Sequence, residues 1–231
     1  MKTILSSILI LLLTCTLKQV QAQTVQKNIT ISNFSKIQVS DAVTVVLTKG
    51  TTPKCVVEAD AKNIEQINIQ SNSDKLVIKR KENLKINNGN IKVYITYVSI
   101  NEIMASGAST ISSDAISSNE LLINFSGASK GKLDINTQWT SLVCSGASSV
   151  DIKGKTQKFN LKCSGASTVN TFSLLAENVI SDISGASTVK LNAIKKLEID
   201  ASGASAVNYK QNATVQVQKS ISGASSVKAI K

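Results

Sequence analysis

Apolar residues in the second half of this chain follow two superposed periods. Within short stretches they alternate with polar residues, as in Phe159-Asn160-Leu161 and Leu197-Glu198-Ile199. A period of two marks a strand with one buried face, whereas a helix would need 3.6 residues, and that pattern is absent. The alternating stretches themselves recur about every 20 residues, each beside the tetrapeptide Ser-Gly-Ala-Ser. Its seven copies start at Ser106, Ser126, Ser145, Ser164, Ser184, Ser202 and Ser222, with steps of 20, 19, 19, 20, 18 and 20 residues. One strand-built unit repeated at a fixed period predicts a solenoid.

Counting from the first Ser of each copy as zero, position −1 reads Ala105, Phe125, Cys144, Cys163, Ile183, Ala201 and Ile221. Position +5 reads Ile111, Gly131, Val150, Val169, Val189, Val207 and Val227. Both columns are apolar or small and are expected to face inward. The glycines at +1 (Gly107, Gly127, Gly146, Gly165, Gly185, Gly203 and Gly223) mark a corner, because a sharp bend calls for positive φ. Ser on either side suits a turn, and Ala at +2 is expected in a tight inner bend. Positions +3 and +4, mostly Ser and Thr, would form hydroxyl columns up the stack. One rung cannot bury its own inner face, but stacked rungs can. The prediction is an all-β fold, a single-stranded right-handed parallel β-helix with about 19–20 residues per coil and about three short strands per turn.

Before the repeats, Lys2, the apolar run Ile4 to Leu13 and Val20-Gln21-Ala22 read as a secretory signal over residues 1–22. Cys15 raises a lipoprotein alternative, weakened by Thr14 in front of it. No later apolar run approaches a bilayer's thickness, so no transmembrane segment is expected. Residues 23–231 then read as one β-helix domain of roughly 11 coils, a rod about 50 Å long at the strand spacing. Residues 23–100 supply irregular N-terminal coils and a cap, and 101–231 the regular coils. A separate small β-domain is the alternative for 23–100. After Val227 little chain remains to cap the last coil, and an unpaired edge recruits partners, so a homodimer through the C-terminal coil is one expectation.

Removing 22 of the 231 residues leaves 209, and without Lys2 and Lys18 the net charge falls from +11 to +9. Arg80 is the sole Arg. Lysine lacks the bidentate fork that grips phosphate, so anionic glycans or lipid headgroups fit better than nucleic acid. The chain has no His, hence neither the commonest general base nor the commonest metal ligand. Asp182 and Asp200 share the outward −2 column, but Lys162 and Ser220 flank them, so no metal site, cofactor or catalytic residue is expected. Cys55, Cys144 and Cys163 would remain after cleavage. Cys144 and Cys163 should stack, within reach of a disulfide or packed as buried thiols. Trp139 occupies the −6 column between Glu120 and Lys158. On an outward face it would offer a sugar ring a stacking platform with polar neighbours; a local bulge would instead turn it into the core or onto the return loop.

Over nearly all of residues 23–231 the chain resembles the head GIN domain family, exported proteins described as autotransporter adhesins. The resemblance is carried by Asn33-Phe34-Ser35-Lys36-Ile37-Gln38-Val39, Val43 to Gly50, Val56 to Asp60, Asp74 to Ile78, Ile91 to Ile95 and the Ser-Gly-Ala-Ser rungs. It implies a right-handed β-helix shaped like pectin lyases but without their catalytic residues, and a role in adhesion. The expected function is a non-enzymatic binding protein of the cell envelope, periplasmic or at the cell surface, whose partner is a glycan or an envelope protein. The alternatives are a carbohydrate-active enzyme and a structural protein that assembles through its open end coils.

Overall fold

The computed structural model describes residues 24–81 and 90–230. The expected signal segment lies outside these residues. The described chain is an all-β solenoid of about 6 turns.

The regular rungs start with β8 (Glu102–Ala105) and β9 (Thr110–Phe125), followed by β10 (Lys130–Cys144) and β11 (Ser149–Cys163). Above them lie β12 (Thr168–Asn170) with β13 (Leu174–Ile183), β14 (Thr188–Leu191) with β15 (Ala193–Ala201), and β16 (Ala206–Lys210) with β17 (Gln216–Ile221). β18 (Ser226–Ile230) is the last strand described. All pair in parallel with the equivalent strand one rung away; Val150 aligns with Gly131 and Val169, and Cys144 with Cys163. The expected three short strands per turn are replaced, in β9 to β11, by one strand of 15 or 16 residues that bends, with a register shift between β9 and β10 at Lys132 to Asp134. Only the Ser-Gly-Ala-Ser corner interrupts it.

That corner is held in two ways. The +1 glycines adopt φ of +65° to +75°, and from the second copy onward each Ala N–H donates to the Gly carbonyl of the rung before it, Ala166 to Gly146 at 2.7 Å for example. A Cβ on Gly165 would stand 2.5 Å from that carbonyl oxygen. The Ala side chains are exposed rather than tucked inside the bend. It is the second Ser that points in. Ser109, Ser129, Ser148, Ser167, Ser187 and Ser205 are buried, and most donate to the carbonyl of the first Ser of their own copy, as Ser129 Oγ does to Ser126 at 2.8 Å. The +3 column is therefore a buried turn lock, partly a hydroxyl ladder (Ser148 to Ser167, 3.2 Å), and not an outward array.

The inward columns form one continuous core. Gly131 replaces a larger residue at +5 because the Phe125 ring of its own rung fills the space; a Cβ there would lie 2.5 Å from the ring. Cys55, Cys144 and Cys163 are free and buried. Burial pushes the thiols of Cys55 and Cys144 up to about 12.

The first hundred residues depart most from expectation. β1 (Thr24–Ile29), β4 (Lys54–Asp60) and β5 (Ile67–Asn72) make antiparallel pairs, β1 with β4, β4 with β7 (Ile91–Tyr97), and β5 with β6 (Lys75–Arg80). β2 (Lys36–Val39) and β3 (Val43–Lys49) lie between β6–β7 on one side and β8–β9 on the other, parallel to both. Spatial order here is not chain order. The bend between β2 and β3 uses Asp41 and Ala42 at positive φ where later rungs use Gly. These antiparallel strands absorb chain that the sequence assigned to coils, so about 6 turns form and not 11.

Candidate functional site

A second corner follows the first around each rung. In β10, Thr137 and Thr140 are buried, whereas Gln138 and Trp139 between them point outward. Strict alternation would place only one residue outside, so the extra one marks a bend. Buried hydroxyls stabilise it: Thr137 and Thr140 share a 2.7 Å bond, and Thr137 donates to Thr156 of the next rung at 2.9 Å. Neighbouring rungs close the corner on themselves, Ser118 Oγ donating to the Glu120 carbonyl at 2.6 Å and Thr156 Oγ1 to that of Lys158 at 3.1 Å.

Trp139 thus sits on a corner and is half-buried, neither on a flat strand face nor in the core. Its register partners are Glu120 and Lys158, both exposed. Adjacent to this column runs a groove of about 650 Å³. Its walls are hydroxyls and amides, from Ser117, Ser118, Asn119, Asn136, Gln138 and Gln157, with Lys155 and Glu177. Leu175 and Ile194, 54% and 37% exposed, give it an apolar end. Lys195 holds Glu177 through a 2.7 Å ion pair. Such a surface offers many donors and acceptors and a few apolar contacts, with Trp139 next in sequence to the lining residue Gln138. That chemistry suits a polyhydroxylated ligand.

The sequence singled out the Trp139 column but missed the groove. The signal was present one position earlier: the −7 column reads Ser99, Asn119, Gln138, Gln157, Glu177, Lys195 and Val215, polar in every copy but the last. Elsewhere, Asp182 and Asp200 are exposed register neighbours flanked by Lys162 and Ser220. Among the described residues, no three His, Cys, Asp or Glu side chains come together.

The sequence matches the family described as "Putative auto-transporter adhesin, head GIN domain" over residues 33–213. The chain belongs to this family. Among solved structures it is similar to a "putative adhesin" from Bacteroides fragilis, with a TM-score of 0.81 and 20% identity over 90% of this chain and 97% of that one. It is also similar to a "putative lipid binding protein" from Parabacteroides distasonis (0.68, 18%, 91% and 98%). A "putative adhesin" from Parabacteroides merdae gives 0.66 at 18% identity, with the same coverage. At these identities the likeness shows a shared fold. None of the curated proteins searched matches the chain. Among the described residues no helix is long and apolar enough to cross a membrane.

Proposed function

We propose that this head GIN domain protein is a non-catalytic binding protein of the cell envelope whose second-corner groove receives a glycan. The observation that carries the reading is the groove itself: hydroxyl and amide side chains repeat over three successive rungs, and Glu120, Trp139 and Lys158 follow its lining residues Asn119, Gln138 and Gln157 along the chain. Trp139 stacks on a sugar ring, Glu120 and Lys158 hydrogen-bond its edge, and the amides of Gln138 and Gln157 read hydroxyls further along. Stacking on an aromatic face with polar edges satisfied is how a wet, amphipathic ligand gains affinity without catalysis. The adhesin descriptions of the family and of the similar structures support a binding role.

End-to-end assembly is opposed by one residue. Lys219 occupies an inward column, in register with Ile199, and its ammonium lies 4.6 Å from the Tyr209 ring centroid. An inward charge on the last described rung disfavours apolar stacking of a second coil there.

A glycan array probed with the wild-type protein and with Trp139→Ala tests the reading. The expected result is binding to a subset of glycans that Trp139→Ala weakens at least tenfold. Binding unaffected by that change, or no glycan bound at all, overturns it.

A further inference from the structure

A second site lies on the face that follows the Ser-Gly-Ala-Ser corner, away from Trp139. Here Lys190 and Lys210, from successive rungs, both lean over the ring of Phe172, 5.7 and 5.6 Å from its centroid. The two ammonium groups therefore lie within about 11 Å of each other. Neither has a carboxylate partner among the described residues. The groove described below has one acid in its lining, Asp151, which accepts from Asn170 at 3.2 Å and keeps its charge, and Lys130 also lines the groove. Bringing two unpaired like charges to one ring adds repulsion and no packing that a neutral residue would not supply.

The platform beneath them is fixed. The Phe172 N–H donates to Asn170 Oδ1 at 3.3 Å, and Asn192 donates to the Phe172 carbonyl at 3.1 Å. Asn192 is 5% exposed and accepts in turn from Asn212 at 3.3 Å. A shallow groove of about 440 Å³ leads to Lys190 along the solenoid axis, past Thr168 and Thr188, which are register neighbours.

We propose that Lys190, Lys210 and the Phe172 turn form an anion clamp for an acidic polysaccharide lying in this groove. Each ammonium meets a carboxylate or sulfate of the polymer, Thr168 and Thr188 bond its hydroxyls, and Phe172 holds the two lysines in place before binding, which lowers the ordering cost. Lysines without arginine, and one ring in place of a stacking platform, do not suit nucleic acid. The groove lacks the protruding apolar side chains with which a protein enters a membrane surface. The site is independent of the Trp139 reading and stands or falls without it.

The test measures binding of the whole protein to polygalacturonate and to dextran sulfate, with uncharged dextran and phosphatidylglycerol vesicles as comparisons. The expected result is binding to at least one acidic polymer that weakens with added salt, with no binding to dextran. Lys190→Gln/Lys210→Gln should weaken it at least tenfold. Lys49→Gln/Lys54→Gln, which removes the same charge from exposed positions near the other end of the solenoid, should leave it within twofold, as should Trp139→Ala. Phe172→Leu should weaken binding less than the double lysine change, with the lysine charges intact. Equal losses in the two double variants would make the binding a matter of net charge and overturn the site. Binding to the vesicles but to neither polymer, or to nothing offered, overturns it as well.

Discussion

Replacing Gly165 with Val tests the corner at the middle of the stack. Gly165 has φ of +73°, and its Cβ would lie 2.5 Å from the Gly146 carbonyl oxygen and 3.0 Å from the Gly146 nitrogen. Both neighbours are backbone, so no side-chain rotation relieves the contact. Holding a β-branched residue at this φ costs about 1–3 kcal/mol. Pushing the rungs apart also weakens the 2.7 Å bond from Ala166 to Gly146, worth about 0.5–1.5 kcal/mol. Together these give a destabilisation of about 2–4 kcal/mol, or a Tm lowered by roughly 5–15 °C for a domain of this size. Thermal unfolding followed by far-UV circular dichroism reads the shift. Ala166→Ser is the control: the Ala166 side chain is exposed, and Tm should hold within about 2 °C, as for ordinary surface changes. An unchanged Tm for Gly165→Val would refute the argument that backbone contact between rungs dictates glycine here.

Gly131→Ala should destabilise by about 1–3 kcal/mol through overpacking against Phe125, and Phe125→Leu added to it should recover part of the loss in a double-mutant cycle of urea melts. The buried thiols give a pH signature. Cys55 and Cys144 titrate at an ordinary 9.0 when unfolded and at about 12 when folded. The unfolded state therefore loses these protons first, so their contribution to stability is full below pH 9 and lost as pH rises toward 12. Urea midpoints should fall over that window, and fall less in Cys55→Ala/Cys144→Ala; a variant slope as steep as wild type would refute the assignment. Lys219→Leu should increase concentration-dependent association in sedimentation velocity, since it removes the inward charge from the last described rung; unchanged sedimentation would show that Lys219 does not guard that face.

The repeat made the solenoid legible because a 20-residue period with two apolar columns has one economical solution, stacked rungs sharing a core. The inward residues at −1 and +5, the positive φ of the +1 glycines and the stacking of Glu120, Trp139 and Lys158 follow from that period alone. Three features did not. The inward turn of the +3 Ser depends on the short loop wrapping its hydroxyl back onto the first Ser carbonyl, which composition does not reveal. The placement of Trp139 on a corner depends on two consecutive outward residues, which a period of two cannot express. The insertion of β2–β3 between β6–β7 and β8–β9 depends on long-range pairing, since β2 meets Leu76 and Ile103 equally well in register.

The sequence by itself determined the rung, because each rung's alternation and glycine are local and repeated seven times. Only the tertiary structure decided which side chains meet across rungs and corners: the amide groove beside Trp139, the two lysines over Phe172 and the lysine at the end of the core. Those arrangements arise where residues 18 to 20 apart in sequence are brought one strand spacing apart, and no local pattern encodes how their side chains then lean.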